Sequence, residues 1–325
     1  MRKFIRFVKR LNLWQKIVSK LHKFANSYFY TPNLFENFLS IALIPLSLVY
    51  SLVIKLKKLS TKQISYEIPI INVGNLVLGG SGKTPLCIAL YQEFSPKLKT
   101  FIILRGYKRA SKGLFVVASD GEILQNVKIS GDEAMVYAIN GANVIVSEDR
   151  DLGIKKAINL GAKLVILDDA FSKFHINKFE ILLRPPLKPA SNFTIPSGVY
   201  RYPKSFYKYA NFIPKSGDII SKSEILNHTK NMVLVTAIAN PSRLNEHLKH
   251  CIGHEFFPDH HSFTKKELDD ILKKYKATSL LVTEKDFVKI KEFDIPLSKL
   301  ILKTSISQNF KSEISAYLRK FYATI

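Results

Sequence analysis

Hydrophobic residues in the first fifth of the chain follow two patterns in turn. Over residues 4–21, apolar side chains recur every three or four positions with Lys and Arg between them, which predicts a basic amphipathic helix. The run 37-NFLSIALIPLSLVYSLVI-54 then has eighteen residues without a charge, about the minimum needed to span a bilayer. Pro45 interrupts that run, and a basic, aromatic-rich segment is typical of helices that lie in the headgroup layer.

These patterns predict an N-terminal helical arm over residues 1–64 that attaches to an anionic membrane surface. A helical hairpin packed on the protein's own core is the alternative interpretation. A secretory signal peptide is disfavoured, because the apolar run starts late and lacks a small-residue cleavage site.

From residue 65 the pattern changes to short apolar runs alternating with segments of helical spacing. Such alternation predicts a mostly parallel sheet with helices on both faces, which we place at 65–185. The predicted elements are strand 66–74, a helix from residue 83, strand 100–104, helix 131–140, strand 143–147, helix 149–160 and strand 163–169.

The second half of the chain contains a smaller α/β domain. Residues 186–230 are irregular, with many prolines and aromatic residues, and we interpret them as a connector with some extended structure. The predicted elements over 231–325 are strand 232–237, a helix from 241, helix 264–276 with a Thr264/Glu267 capping box, strands 279–283 and 299–304, and helix 309–322.

Composition narrows the class of partner. The chain of 325 residues has 49 basic and 26 acidic side chains, a formal net charge of +23 that favours an anionic partner. Nucleic acid is not expected, because no recognition helix, zinc knuckle or RNP-like aromatic strand is visible. The two cysteines have no CxxC spacing, which argues against a disulfide framework and indicates a reducing compartment.

Between the first predicted strand and helix lies the loop 74-GNLVLGGSGKT-84. It ends like the phosphate-binding pattern G-x-x-x-x-G-K-[ST], but Val77 stands where that pattern has its first glycine. In this context glycines let backbone N–H groups face an anion, the lysine reaches the β- and γ-phosphates, and the threonine hydroxyl binds Mg²⁺. An ordinary glycine-rich turn is the alternative. The predicted nucleotide-binding residues are Gly79, Gly80, Ser81, Gly82, Lys83 and Thr84.

Acidic residues follow at the carboxyl ends of other predicted strands, the edge at which ligands of parallel sheets bind. Asp168 and Asp169 end the strand 163-KLVILDD-169, as expected of carboxylates that hold Mg²⁺ in phosphate-loop enzymes, although an aspartate pair can also cap a helix. Asp132 and Glu133 open a helix near the same edge. Arg105 and Tyr107 directly follow a strand there, and we assign them to a substrate.

The segment 257-FPDHHSFT-264 places two histidines beside an aspartate. A metal site with His254 or Cys251 is disfavoured, since neither an i,i+4 histidine pair nor a CxxC is present. The segment is either a solvated loop or a source of an imidazole, His260 or His261, that orients a catalytic carboxylate.

Taken in order, several motifs resemble those of the tetraacyldisaccharide 4′-kinases, the lipid A kinases of Gram-negative bacteria. The resemblance extends from the apolar arm to Asp286, and the loop form with glycines at 74, 79 and 80 belongs to it. The motifs are NVGNLVLGGSGKTP, LRGYKR, SGDEAMVYA, SEDR, VILDDAF, PSGVYRYP, AIANPSR, FPDHHSFT and TEKD.

The resemblance implies a P-loop NTPase-like fold and transfer of the γ-phosphoryl group of ATP to the 4′-hydroxyl of a tetraacyldisaccharide 1-phosphate, giving lipid IVA at the cytoplasmic face of the inner membrane. It implies that Asp132 acts as base, assisted by a histidine of the DHH element. Glu133 would belong to the Mg²⁺ and phosphate machinery, Arg150 would lie in the active site, and both would help to bind the nucleotide. The lipid disaccharide and the anionic membrane are the implied partners, and no obligate protein partner is expected.

One departure concerns the segment after Asp169. Family members read D-D-G-[FL]-Q-H, whereas this chain continues with Ala170, Phe171, Ser172 and Lys173. A membrane-associated P-loop ATPase that regulates a protein partner is the alternative function. It would share the loop and the arm but would not need the histidine element.

Overall fold

The computed structural model describes residue 21 and residues 23–322. The amphipathic helix predicted over residues 4–21 therefore lies outside the described residues, apart from Leu21. The chain divides into two compact units. Among the described residues, one joins 23–63 with 75–81 and 182–213, and the other joins 64–74, 82–181 and 214–322.

The apolar run of the first unit forms two helices. Helix α1 (Leu34–Ala42) begins with a capping box between Asn33 and Glu36, and helix α2 (Ile44–Ser60) begins at the predicted interruption, with Pro45 in its first turn. Among the described helices none alone is long and apolar enough to cross a bilayer. The pair α1 and α2 meets that test together, but it bends by 49° at the break.

The two helices have their polar side inward. Ser40 Oγ donates to the carbonyl of Ser197 and Ser47 Oγ to that of Thr194, each at 2.8 Å. Ser51 Oγ lies 2.8 Å from the Thr194 hydroxyl. Most large apolar side chains of both helices are exposed instead; the exposed ones are Leu34, Phe35, Phe38, Ile41, Leu46, Leu48, Val49, Leu52, Val53, Leu56 and Leu59.

The larger sheet has the strand order β4-β3-β5-β2-β6-β1-β7. Its strands β1, β2, β5 and β6 pair in parallel, while β3 pairs antiparallel with β4 and β5. The central strands are buried on both faces, which explains their continuous apolar sequences. The strands are β1 (Ile70–Asn75), β2 (Thr100–Leu104), β3 (Phe115–Ser119), β4 (Glu122–Ile123), β5 (Asn143–Val146), β6 (Leu164–Asp168) and β7 (Phe179–Leu183).

The helices that follow these strands agree with the predicted alternation. They are α3 (Lys83–Phe94), α4 (Val127–Ser130), α5 (Asp132–Ile139) and α6 (Arg150–Asn159). Parallel central strands joined through helices confirm the predicted P-loop NTPase-like class.

The second sheet has the order β10-β9-β11-β12-β8, with β8 antiparallel to β12. The predicted capping box at Thr264 is confirmed, whereas the segment from residue 241 is the 3₁₀ helix Pro241–His250 instead of an α-helix. The strands are β8 (Ile219–Leu226), β9 (Met232–Thr236), β10 (Cys251–Phe256), β11 (Ser279–Thr283) and β12 (Leu297–Ile306); the helices are α7 (Lys265–Tyr275), α8 (Glu284–Ile290) and α9 (Gln308–Leu318).

The C-terminal helix α9 ties the two sheets together. Tyr317 Oη donates to the carbonyl of Ile70 in β1 and accepts from the N–H of the same residue, both at 3.1 Å. Lys311 forms an ion pair with Glu93 at the end of α3, with 2.7 Å between Nζ and Oε2. These contacts fix the second sheet beside the helix that follows the glycine-rich loop.

Candidate active site

The glycine-rich loop leaves room for a ligand. Strand β1 ends at Asn75 and α3 begins at Lys83, with Gly82 as its N-cap residue in the left-handed conformation. Gly79 and Gly82 have φ of +96° and +83°, and a Cβ added to either would meet no atom within 4 Å. Ser81 Oγ is buried and has no hydrogen-bond partner among the described residues. Open space before a helix N-terminus is the arrangement that binds phosphate groups.

Lys83 reaches the end of the neighbouring strand β6. Its Nζ lies 3.8 Å from Oδ1 of Asp169, and both side chains are partly exposed. Asp169 has φ of +53°, a left-handed conformation that aspartate tolerates better than most residues, and its N–H donates to the carbonyl of Val73 at 3.0 Å. The predicted lysine and one predicted carboxylate are therefore brought together at the carboxyl end of the sheet.

Asp168 is a buried carboxylate with unsatisfied hydrogen-bonding capacity. Tyr137 Oη donates to its Oδ2 at 2.9 Å, whereas Oδ1 is buried without a partner among the described residues. Burial is the main cause that raises the pKa of Asp168 to about 7, and the charge of Glu133 adds to this effect. A buried acid with one orphaned oxygen is suited to a cation.

The donor set near Asp168 fits Mg²⁺. Within the described part of the chain, no group of three His, Cys, Asp or Glu side chains is arranged to hold a metal ion. Mg²⁺ does not require one, because it is usually bound by one or two carboxylates together with substrate phosphates and waters. Asp168, Asp169 and the hydroxyl of Thr84 at the start of α3 are oxygen donors of that kind.

Arg150 lies behind the end of β6. Its side chain is buried, with 3% of the residue exposed, and its guanidinium donates to the carbonyls of Ser147 and Asp168. Burial lowers its pKa to about 10. These hydrogen bonds stabilise the end of the strand that carries Asp168. The role of Arg150 in binding a nucleotide stays a prediction.

The departure from the family pattern after Asp169 does not strain the backbone. The N–H of Ala170 donates to Asn72 Oδ1 at 2.9 Å, and Asn72 Nδ2 donates to Glu180 at 2.7 Å. The positive φ in this segment belongs to Asp169 and not to Ala170. Alanine therefore occupies the position of the family's glycine without the cost that a left-handed conformation would impose.

Asp132 and His260 form an acid–imidazole pair across 128 residues of sequence. Asp132 is the first residue of α5, and its Oδ2 lies 3.1 Å from His260 Nδ1. Burial acts to raise the pKa of Asp132, but the hydrogen bond to His260 and the charges of Lys289 and Lys285 outweigh it and hold the pKa below its ordinary value. The adjacent Glu133 is close enough to Asp168 to affect its pKa. The helix that carries Asp132 also contacts a carboxylate of β6, through the hydrogen bond of Tyr137 to Asp168.

The second histidine has other contacts. His261 stacks on Phe257 with 4.7 Å between ring centroids, and Phe263 meets it edge-on at 5.1 Å. Its Nε2 lies 3.3 Å from Oε1 of Glu267 in α7. The structure thus joins His260, and not His261, to Asp132.

No role is predicted from the sequence for the TEKD segment, which begins helix α8 and so places a lysine of that helix, Lys289, beside this pair. Asp286 is fully buried and accepts hydrogen bonds from the hydroxyls of Thr236 and Thr283, at 2.7 and 2.8 Å. Lys289 forms an ion pair with Asp286 at 2.9 Å, and its Nζ is 4.0 Å from Asp132 Oδ2. The spacing of Thr283 and Asp286, an N-cap signal, was the available clue that a helix begins here.

Tyr107 stands at the entrance to the acid–imidazole pair. The residue is 59% exposed, and its ring lies edge-on to His260 with 6.0 Å between centroids. Arg105, two residues earlier, is exposed as well. Arg109, which no motif argument singled out, is buried and pairs with Glu148 at 2.7 Å, so it fixes the loop that presents these side chains.

A loop open to an anion at the end of one parallel strand, with a buried acid at the end of the next, is the arrangement of P-loop phosphotransferases. This chain is of that class. The family described as tetraacyldisaccharide-1-P 4′-kinase, LpxK, matches residues 39–225 and 214–322. The chain belongs to this family, which confirms the resemblance of its motifs.

Relatives named tetraacyldisaccharide 4′-kinase are similar over nearly the whole chain. That of Campylobacter jejuni serotype O:2 is 47% identical over 91% of this chain and 96% of its own length. That of Aliarcobacter butzleri is 42% identical, covering 93% and 99%. That of Helicobacter pylori strain J99 is 44% identical, covering 93% and 97%.

A solved structure has the same fold. The structure of LpxK from Aquifex aeolicus, described as an apo form in complex with ATP, superposes with a TM-score of 0.73 at 26% identity, covering 87% of this chain and all of that one.

Proposed function

We propose that this chain transfers the γ-phosphoryl group of ATP to the 4′-hydroxyl of a tetraacyldisaccharide 1-phosphate, a step of lipid A biosynthesis that yields lipid IVA. The observation that carries the proposal is the Asp132–His260 pair, a carboxylate and an imidazole held 3.1 Å apart. Hydrolysis of ATP alone would not require such a base for a sugar hydroxyl. Relatives with this activity in their names support the assignment.

Different residues perform separate parts of phosphoryl transfer. Backbone N–H groups of the loop and the Lys83 ammonium bind the β- and γ-phosphates and offset the charge that develops on them. The Asp132 carboxylate takes the proton of the 4′-hydroxyl as the oxygen attacks the γ-phosphorus, and the bond to the bridging oxygen breaks to release ADP. Arg105 and Tyr107 contact the lipid substrate at the entrance.

Mg²⁺ would be held by Thr84, Asp168 and Asp169. It would supply positive charge to the phosphate oxygens, and Asp168 would be fully ionised beside it. Glu133 lies near these carboxylates and completes the acidic side of the site.

The assay is transfer of radiolabelled phosphate from [γ-³²P]ATP to tetraacyldisaccharide 1-phosphate in detergent micelles. Label in the lipid, dependent on both substrates, is the expected result. Release of inorganic phosphate without labelled lipid would contradict the proposal and would favour an ATPase instead.

Gly82 provides a test of the loop. Gly82→Ala should destabilise the protein by about 1–2 kcal/mol, because its φ of +83° places a side chain in the left-handed region. The added methyl group also enters the open space assigned to phosphates, so the affinity for ATP should fall. Urea unfolding measures the first effect and calorimetric titration the second.

Gly121→Ala is the matched control. Gly121 has φ of +89° and open space at its Cβ, but it lies in the turn between β3 and β4. The same loss of stability with unchanged ATP affinity is expected there. Equal ATP affinities in the two variants would argue against a phosphate site at Gly82.

We also propose that α1 and α2 attach the protein to the cytoplasmic face of the inner membrane. Their outward apolar side chains are unusually exposed for helices in water; Phe35 and Phe38 are each 71% exposed. The C-terminal part of α2 carries Lys55, Lys57 and Lys58, which would contact anionic headgroups. A substrate whose acyl chains lie in the bilayer requires an enzyme at that surface.

Replacing Phe35, Phe38 and Leu52 together by serine should lower the partition coefficient for phosphatidylglycerol vesicles roughly 100-fold, because three largely exposed apolar side chains no longer enter the lipid. Sedimentation with vesicles measures this. Leu152→Ser, which removes a 53% exposed leucine from α6, should leave binding unchanged. Unaltered sedimentation of the triple variant would exclude this face as the attachment surface.

A further inference from the structure

A third charged group, a lysine, contacts the ring nitrogen of His260 that does not face Asp132. Lys285, in the first turn of α8, has its Nζ 3.3 Å from His260 Nε2 and 3.3 Å from Asp259 Oδ1. Its side chain is 24% exposed. The proposed reaction assigns no role to Lys285, since the base and its partner are Asp132 and His260.

The contacts of the two ring nitrogens of His260 require different protonation of each nitrogen. An ammonium group can only donate hydrogen bonds, so the contact with Lys285 requires Nε2 of His260 to be an acceptor without a proton. An ionised carboxylate can only accept, so the contact of Nδ1 with Asp132 requires a proton on Nδ1. Together the two contacts are compatible with one form of the ring, the neutral tautomer protonated at Nδ1.

A competing acceptor lies on the Nε2 side. Asp259 Oδ2 is 3.5 Å from His260 Nε2 and would attract a proton there. Lys285 opposes this in two ways: it bonds to the other oxygen of the same carboxylate, and a proton on Nε2 would point at its ammonium. The groups that face the ring are thus Asp132 from α5, Asp259 from the histidine loop and Lys285 from α8, with the ring of Tyr107 at its edge.

The backbone holds the ring in this environment. His260 has φ of +63°, an unusual conformation for a residue other than glycine, and its N–H donates to the carbonyl of Ala237 at 3.1 Å. Strained backbone of this kind persists where surrounding contacts fix it. The ring is therefore presented between Asp132 and Lys285 by the fold.

We propose that Lys285 is a positioning residue that holds His260 in the tautomer protonated at Nδ1. In this form His260 donates to Oδ2 of Asp132 and fixes the carboxylate. The described contacts of Asp132 are all made by Oδ2, so Oδ1 remains available to the substrate hydroxyl. The catalytic consequence rests on the proposed function, whereas the tautomer does not.

The tautomer is measured directly by ¹⁵N NMR of the full chain labelled at histidine and held in detergent, without substrate. The signals of His260 are assigned by their loss in His260→Gln. Wild type should show a protonated Nδ1 and an unprotonated Nε2. In Lys285→Met a proton should appear on Nε2 as well, facing Asp259, while Lys285→Arg should retain the wild-type pattern because arginine also only donates.

Activity provides the second readout. Lys285→Met should lower kcat about tenfold, which is part of the rate enhancement that general base catalysis supplies. KM for ATP should change less than about twofold. Lys285→Arg should recover most of the lost kcat. Lys291→Met removes an exposed lysine just beyond α8 and should alter neither the tautomer nor kcat. Lys285→Gln also removes the charge and should change the protonation of His260 and kcat in the same way as Lys285→Met.

The outcomes separate the two proposals. An unprotonated Nε2 that persists in both Lys285→Met and Lys285→Gln would overturn the role of Lys285. Absence of lipid phosphorylation by wild type, with a proton on Nε2 observed in Lys285→Met, would overturn the proposed function and leave the role of Lys285 toward the ring intact.

Discussion

Replacing Asp132 by asparagine should lower kcat for lipid phosphorylation by about 10²- to 10⁴-fold, the range that general base catalysis contributes. Asparagine keeps the shape of the side chain but cannot take a proton from the 4′-hydroxyl. KM for ATP should change little, because the phosphates are bound by the loop and Lys83. Initial rates at saturating lipid, with varied ATP, separate the two constants.

The control for charge is Asp270→Asn, which removes an exposed carboxylate from α7 and should leave kcat unchanged. The pKa of Asp132 lies below its ordinary value, so the carboxylate form is present above that pKa and is lost as pH falls through it. Near pH 7 Asp132 is therefore ready to act as a base. A kcat in Asp132→Asn within tenfold of wild type would exclude this residue as the base.

Lys83→Ala should reduce kcat/KM for ATP by about 10²- to 10³-fold, the loss seen when one donor to a developing charge is removed. Its Nζ lies 3.8 Å from Oδ1 of Asp169, just after β6, so the change also removes this ion pair. Calorimetric titration with ATP should show weaker binding in parallel with the loss of rate.

Lys97→Ala is the matched change just beyond the opposite end of α3, where the lysine is exposed, and it should not affect either constant. Equal ATP affinity and equal rate in Lys83→Ala and wild type would show that the loop does not bind the phosphates through this side chain.

Much of the larger sheet could be predicted from periodicity, because buried parallel strands are continuous apolar runs and their helices carry clear start signals. Strand β2 was predicted with its observed bounds, and α5 within one residue at each end. Five strands were missed. Strands β8 and β10, for example, have mostly exposed or partly exposed side chains, so the pattern of burial that marks a strand in sequence is weak there.

The sequence indicates residue types for a candidate site but not which side chains contact one another. Local spacing indicated a phosphate loop and a carboxylate strand, since both belong to continuous segments. The partner of Asp132 lies 128 residues away, in the loop that follows β10. The residues of that loop suggest an imidazole that orients a carboxylate, but only the resemblance to a family indicates that this carboxylate is Asp132. Which of two adjacent histidines does so depends on the left-handed backbone at His260 and on the aromatic contacts of His261, which spacing does not encode.

The hydrogen bonds that fix α1 and α2 in the fold lie on a different side of the helices from the proposed membrane-attachment face. Ser40, Ser47 and Ser51 make their hydrogen bonds to the 194–197 segment on the side away from the exposed apolar face. Exchanging water for hydrocarbon on the outer face therefore breaks none of these bonds. Under the attachment proposed above, the helix pair would therefore leave a bilayer and return to it as a preformed unit.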